Sequence, residues 1–105
     1  MNRTKRDDAR QKFAQRTRDW AARLNVGIRS VTVRKMRRKW ASCSTAGRLT
    51  FDESLMSKAS ELQDYVIVHE LLHVSVPNHG KLWKALMRAH LGDYEQYEKE
   101  LKTRA

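Results

Sequence analysis

The chain has 105 residues, one cysteine and a formal charge of +10. A chain of that length is expected to fold as one domain over residues 1–105, burying about two-thirds of its unfolded surface, and no stretch reaches the roughly twenty apolar residues of a membrane span. One cysteine excludes an internal disulfide, and the basic start is not followed by the apolar core of a signal peptide, so the cytosol is the expected compartment.

The first predicted element is a basic helix within residues 1–27. Over Asp7 to Leu24, Phe13 and Trp20 are seven apart and Trp20 and Leu24 four apart, which gives one narrow apolar stripe. Asn25-Val26-Gly27 is its expected stop. The charge is lopsided: residues 1–50 hold fifteen Lys or Arg against three Asp, and residues 51–105 hold seven against nine acidic residues. That asymmetry fits either a solvated basic helix or a surface for a polyanion or an acidic protein, with nucleic acid the first candidate.

Next, Ile28 to Met36 alternates apolar and polar residues with β-branched members and predicts a half-buried strand. Ser42 to Gly47 is a run of small, turn-prone residues, and Arg48 to Asp52 alternates again, so a hairpin with a long loop is expected. Leu55, Met56 and Ala59 suit a short helical approach to the segment Glu61 to Val76, which is apolar on most sides and reads as a buried helix. Ser60 and Gln63 resemble a capping box at its start, and Pro77-Asn78 ends it.

After the proline, His79 to Leu91 places Leu82, Leu86 and Leu91 near helical spacing with Trp83, Met87 and His90 beside them, an amphipathic helix with Gly92 as the stop. Asp93 opens a final helix in which Tyr94, Tyr97 and Leu101 recur at three- and four-residue steps. The fold class is therefore α+β: a small antiparallel hairpin packed on the helix of residues 61–76, with three further helices.

Three of the four histidines fall between residues 69 and 79. In His69-Glu70-Leu71-Leu72-His73 the imidazoles are four apart, so on a helix both leave the same face and can bind one tetrahedral ion. His79 follows a chain break that lets it turn back as a third ligand, the reading favoured over a surface histidine that caps the next helix. Glu70, one step round, can take a proton from a water that the ion has acidified. The reading is hydrolysis at one zinc ion held by His69, His73 and His79, with Glu70 as general base. The bland alternative is a pair of hydrogen-bonded core histidines beside a solvated glutamate. A donor for the developing oxyanion is needed as well, and Tyr65, His90, Tyr94 and Arg38 are all candidates. Trp40 and Trp83 are expected to wedge neighbouring elements against the helix, and Cys43 to be a small core residue rather than a nucleophile.

The stretches VRKMRRKWASCS (33–44), GRLT (47–50) and YVIVHELLHVSVPNHGKLW (65–83) resemble the YgjP-like and SprT-like zinc metallopeptidases over roughly residues 28–104. The resemblance implies a minimal zincin-like fold, peptide or protein substrates, the same three histidine ligands and the same glutamate base. It also implies that the strand before the metal helix pairs an extended peptide by β-augmentation. Ala41 stands where those families usually have glycine. The histidine spacing equals that of the metzincins, but Val76 occupies their turn glycine.

Two rival functions remain at this stage. One is a metal-dependent hydrolase of nucleotides or other phosphates, and the other is a nucleic-acid-binding module with structural zinc. Three histidines leave a coordination position open, which favours the catalytic readings.

Overall fold

The computed structural model describes residues 5–76 and 80–102. Helix α1 (Lys5–Leu24) has Asp7 and Asp8 in its first turn and Arg23 in its last, matching the helix dipole at both ends. It closes on Asn25, whose φ of 57° lies in the left-handed region. The Val26 and Asn25 amides donate to the Ala21 and Ala22 carbonyls at 2.8 and 3.2 Å, the paired bonds of a Schellman motif. Ala21 and Val26 are both buried, which supplies the apolar contact that accompanies such a cap. The inward stripe is wider than the spacing of Phe13, Trp20 and Leu24 suggests. It includes Thr17, whose hydroxyl donates to the Phe13 carbonyl at 2.9 Å and so costs little to bury.

Three strands follow: β1 (Ser30–Arg34), β2 (Ala41–Cys43) and β3 (Arg48–Asp52). The expected hairpin between the first and last of these is not formed. β3 is the central strand, parallel to β1 and antiparallel to β2, in the order β1-β3-β2. Two parallel neighbours need a connection of about a dozen residues. Here residues 35–47 provide it, and they use the path to form β2 on the far side of β3. The small residues of 42–47 hide this strand in the sequence, because Ala41, Ser42 and Cys43 carry little β signal. The turn proper is Ser44–Gly47, with the Gly47 amide on the Ser44 carbonyl at 3.0 Å. Gly47 has φ of 84°, and a β-carbon there would meet the Gly27 carbonyl oxygen at 3.2 Å. The positive φ makes any side chain strained there, and the close carbonyl leaves little room to relieve it.

Leu49 and Phe51 of β3 are fully buried, and the Phe51 ring meets Phe13 edge-on at 4.9 Å, joining sheet to α1. Asp52 ends the strand, also buried. Its carboxylate accepts from the Met36 amide at 2.7 Å, the Ser54 amide at 3.2 Å and the Ser54 hydroxyl, so it caps a short 3-10 helix (Glu53–Ser57) and fastens the loop after β1.

Helix α2 (Ser60–Ser75) fills the centre, with Leu62, Val66, Ile67, Val68, Leu71 and Leu72 buried on several sides. The expected capping box is replaced. Ala59 is the N-cap and makes no side-chain cap bond, while the Gln63 amide donates to the Leu55 and Lys58 carbonyls at 2.8 and 3.3 Å. The chain end it satisfies is that of the preceding 3-10 helix. Helix α3 (Lys81–Leu91) ends at Gly92, whose φ is 68°. Its inward face is Trp83 and Met87, whereas Leu82 is 61% exposed. Of the expected leucines only Leu82 faces out, while Leu86 and Leu91 pack partly buried against the core beside Trp83 and Met87. Helix α4 (Glu95–Lys102) follows Tyr94.

Asp64 of α2 ties the two longest helices together: its Oδ1 accepts from the Trp20 indole and from Arg16, both at 2.9 Å. Loss of that acceptor strands a nearly buried indole N–H, which costs about 1–3 kcal/mol. For a domain of this size each kcal/mol lowers Tm by about 4–8 °C. Thermal unfolding followed by circular dichroism is therefore expected to show a drop of at least about 4 °C for Asp64→Ala. Arg16→Ala removes only a partly exposed ion pair and should cost under about 1 kcal/mol. Equal losses would contradict the indole's role.

Candidate metal and active site

Four-residue spacing on α2 brings His69 and His73 to one side, with ring centroids 4.7 Å apart and planes at 72°. Glu70 reaches back to them. The ligand-capable atoms of His69, Glu70 and His73 all lie within 4.8 Å of one another. Glu70 is 9% exposed, and its Oε2 sits 2.8 Å from Nδ1 of His69. A carboxylate on Nδ1 favours the tautomer with its proton there, the form in which imidazole binds a metal through Nε2. Trp83 backs both rings, at 5.2 Å from His69 and 6.0 Å from His73. This bears out its expected wedging role.

Beside His69 and Glu70 lies a pocket of about 260 Å³ whose lining also includes Trp40, Ala41, Tyr65, Glu98 and Leu101. Its rim is β2. The Asp52 amide donates to the Trp40 carbonyl at 2.8 Å, and the Ser44 amide to the Arg48 carbonyl at 3.0 Å. By antiparallel alternation the backbone groups of even-numbered residues face β3, and those of Ala41 and Cys43 face outward. No other strand among the described residues pairs with that outer side. The strand immediately before α2 in the sequence is β3, which has both edges occupied, so it cannot pair a peptide. The open edge beside His69 and Glu70 belongs to β2.

The family described as YgjP-like, metallopeptidase domain, matches residues 1–104. The chain belongs to the YgjP-like metallopeptidase family. It is accordingly a hydrolase of peptide or protein substrates, in a family whose members use a metal, typically zinc. Two solved structures share its fold over nearly their whole length. The metallopeptidase zymogen jannalysin of Methanocaldococcus jannaschii is 25% identical with a TM-score of 0.63, covering 96% of this chain and 95% of its own. The metallopeptidase zymogen abylysin of Pyrococcus abyssi is 17% identical with a TM-score of 0.69, covering 89% and 91%. No curated protein sequence matches the chain. Among the described residues, no helix is long and apolar enough to cross a membrane.

Within this YgjP-like domain the candidate residues separate. His69, Glu70 and His73 come together, whereas His79 lies outside the described residues. His90 is exposed on α3 with its ring edge-on to Trp20 at 6.2 Å. Arg38 is exposed on the loop before β2. Tyr94 is buried, stacked on Tyr65 at 6.4 Å and edge-on to Trp83 at 6.1 Å. Of the four candidates for an oxyanion donor, only Tyr65 lines the pocket. Burial first, then the charge of Glu98, the Tyr94 hydroxyl and Glu70, hold its phenol far above the ordinary value, so it stays an O–H donor.

Sequence reasoning missed three contributors: the outward backbone of Ala41 and Cys43, the α4 residues Glu98 and Leu101, and Asp52. Only Asp52 left a signal, as Asp-x-Ser is a local capping pattern. Cys43 is half-buried rather than a core residue, because it sits on the sheet edge. Burial, then the Glu70 charge, push its thiol above the ordinary range. A raised thiol pKa means less thiolate at a given pH. At a pH where a free cysteine is half ionised, Cys43 should therefore alkylate more slowly than free cysteine in the metal-free protein. Glu70→Gln should speed the reaction. A rate equal to that of free cysteine, measured by mass spectrometry, would rule out this shielding.

Proposed function

We propose that the protein hydrolyses peptide bonds at one zinc ion held by His69, His73 and His79, with Glu70 as general base. The observation that carries this reading is the His69, Glu70 and His73 trio, gathered within 4.8 Å beside an open strand edge. His79 enters on its spacing after Pro77-Asn78. Imidazole nitrogens suit zinc, and three of them leave the fourth tetrahedral position for solvent or substrate. The Glu70 contact to Nδ1 of His69 further supports the fit, since a carboxylate there favours the tautomer that can bind a metal through Nε2.

A zinc ion bound there supplies Lewis-acid polarisation of the scissile carbonyl and lowers the pKa of a water from about 15.7 toward about 7. Proton transfer falls to Glu70: one carboxylate oxygen orients His69, and the other accepts a proton from the attacking water and passes it to the leaving amine nitrogen. Tyr65, kept protonated, donates to the developing oxyanion. The outward N–H and C=O groups of Ala41 and Cys43 hold an extended peptide against the pocket by strand addition. The family match and the strand edge give no support to the phosphate-hydrolase and structural-zinc alternatives. Nor do these similarities favour a nucleic-acid partner.

Glu70→Gln should keep zinc affinity in calorimetry while turnover on a panel of peptides and unfolded proteins falls about 10²–10⁴-fold. Unchanged turnover would remove Glu70 from the mechanism. Zinc at a hundred times its Kd should stabilise the fold by about 2.7 kcal/mol, read as a rise in Tm that EDTA reverses. His73→Ala should abolish that rise. A wild-type Tm indifferent to both zinc and EDTA would sink the proposed site.

A further inference from the structure

The rim strand is entered through Arg34-Lys35-Met36-Arg37-Arg38-Lys39, five cations in six residues with no acidic residue among them. All five are exposed. The salt bridges of the described residues that involve Lys or Arg are made by Arg10, Arg16, Arg88 and Lys102, none of them in this run. The loop's position is fixed at both ends by one residue. Asp52 accepts from the Met36 amide at 2.7 Å and its own amide donates to the Trp40 carbonyl at 2.8 Å. The cluster is therefore held at the Ala41 end of the open edge and cannot drift along it.

That placement gives the charge a direction. A peptide added antiparallel to β2 runs from the Cys43 side toward Ala41 and leaves the rim past Lys39. Glu70 lines the pocket with Ala41, which puts the scissile bond near that level. A strand rises about 3.3 Å per residue. The cations therefore meet side chains two to four places beyond the bond to be cut. Of the acidic groups of α4 on the opposite wall, Glu98 is paired with Lys102 at 3.3 Å, and Glu100 lies in the cavity that Trp40 and Lys58 line. We propose that Arg37, Arg38 and Lys39 select substrates that carry Asp or Glu two to four residues C-terminal to the scissile bond.

This inference rests on the peptidase reading and adds its substrate class. A nucleic acid is the lesser fit, because single strands need an open aromatic face for base stacking. Trp40, next to the cluster, has its indole N–H on the Leu101 carbonyl at 3.3 Å and Lys58 over its ring at 5.7 Å. Single exposed ion pairs are weak, so three together should give about a fivefold to tenfold preference that fades as salt rises.

The test uses the full chain loaded with zinc and matched peptides bearing three Glu, three Gln or three Lys on either flank of one cleavable bond. Higher kcat/KM for Glu on the C-terminal flank is expected. Arg37→Glu/Arg38→Glu should invert the order in favour of Lys, an outcome that loss of folding cannot produce. Binding of the same peptides to the Glu70→Gln protein, read by fluorescence anisotropy, should follow the same ranking without turnover. Equal cleavage of all peptides, or a gain confined to the N-terminal flank, overturns the inference and leaves the peptidase reading intact. Cleavage of none, with ranked binding lost as well, removes both. Tighter binding of an oligonucleotide than of the acidic peptide at 0.15 M salt, lost in the double variant, assigns the cluster to nucleic acid and overturns the inference.

Discussion

The structure turns on a helix that must be apolar nearly all round and yet carry two imidazoles and a carboxylate. α2 is enclosed by α1, β2 and α3, and its leucines, valines and isoleucine supply much of the core. Each such side chain contributes about 1.5–3 kcal/mol when fully buried. A carboxylate as enclosed as Glu70 works against that sum unless it is satisfied. The fold meets the cost locally, by pairing Glu70 with His69 and by confining the polar atoms to the one side where Trp83 backs them and the pocket opens. The same arrangement makes a chemical site out of what would otherwise be a defect in the core.

Surrounding elements follow from keeping that helix in register. Asp64 anchors it to α1 through Trp20 and Arg16, and Gln63 anchors its start to the preceding 3-10 helix. Tyr65 and Tyr94 stack between α2 and the approach to α4, and Trp83 meets Tyr94 edge-on. The aromatic side chains therefore do two things at once. They close the core behind the histidines and shape the pocket in front of them.

Helices were largely legible in the sequence because their signals are local. The Asn25 and Gly92 stops, the apolar run of α2 and the stripe of α1 each depend on residues within a few positions of one another. Strand partnership was not legible. Alternation in Ile28 to Met36 and in Arg48 to Asp52 says that each is a strand, but nothing in either says that Ala41 to Cys43 slips in on the far side of β3 and leaves the other two parallel. The trio on α2 was readable for the same reason the helix was. The rim was hidden because its contribution is made by backbone groups, for which residue type carries no code. Charge showed up in the composition as a lopsided total, and only the loop geometry turned it into a location.

Three residues make β2 the shortest strand of the sheet, and it is held on one side only. An edge so brief is the part of a sheet that opens most readily. On the proposed binding mode the substrate turns it into an interior strand, so the enzyme completes its own architecture with the molecule it destroys. Cleavage divides that borrowed strand into two pieces, each with fewer backbone bonds than the whole. The weakness of the rim thus favours departure of the products.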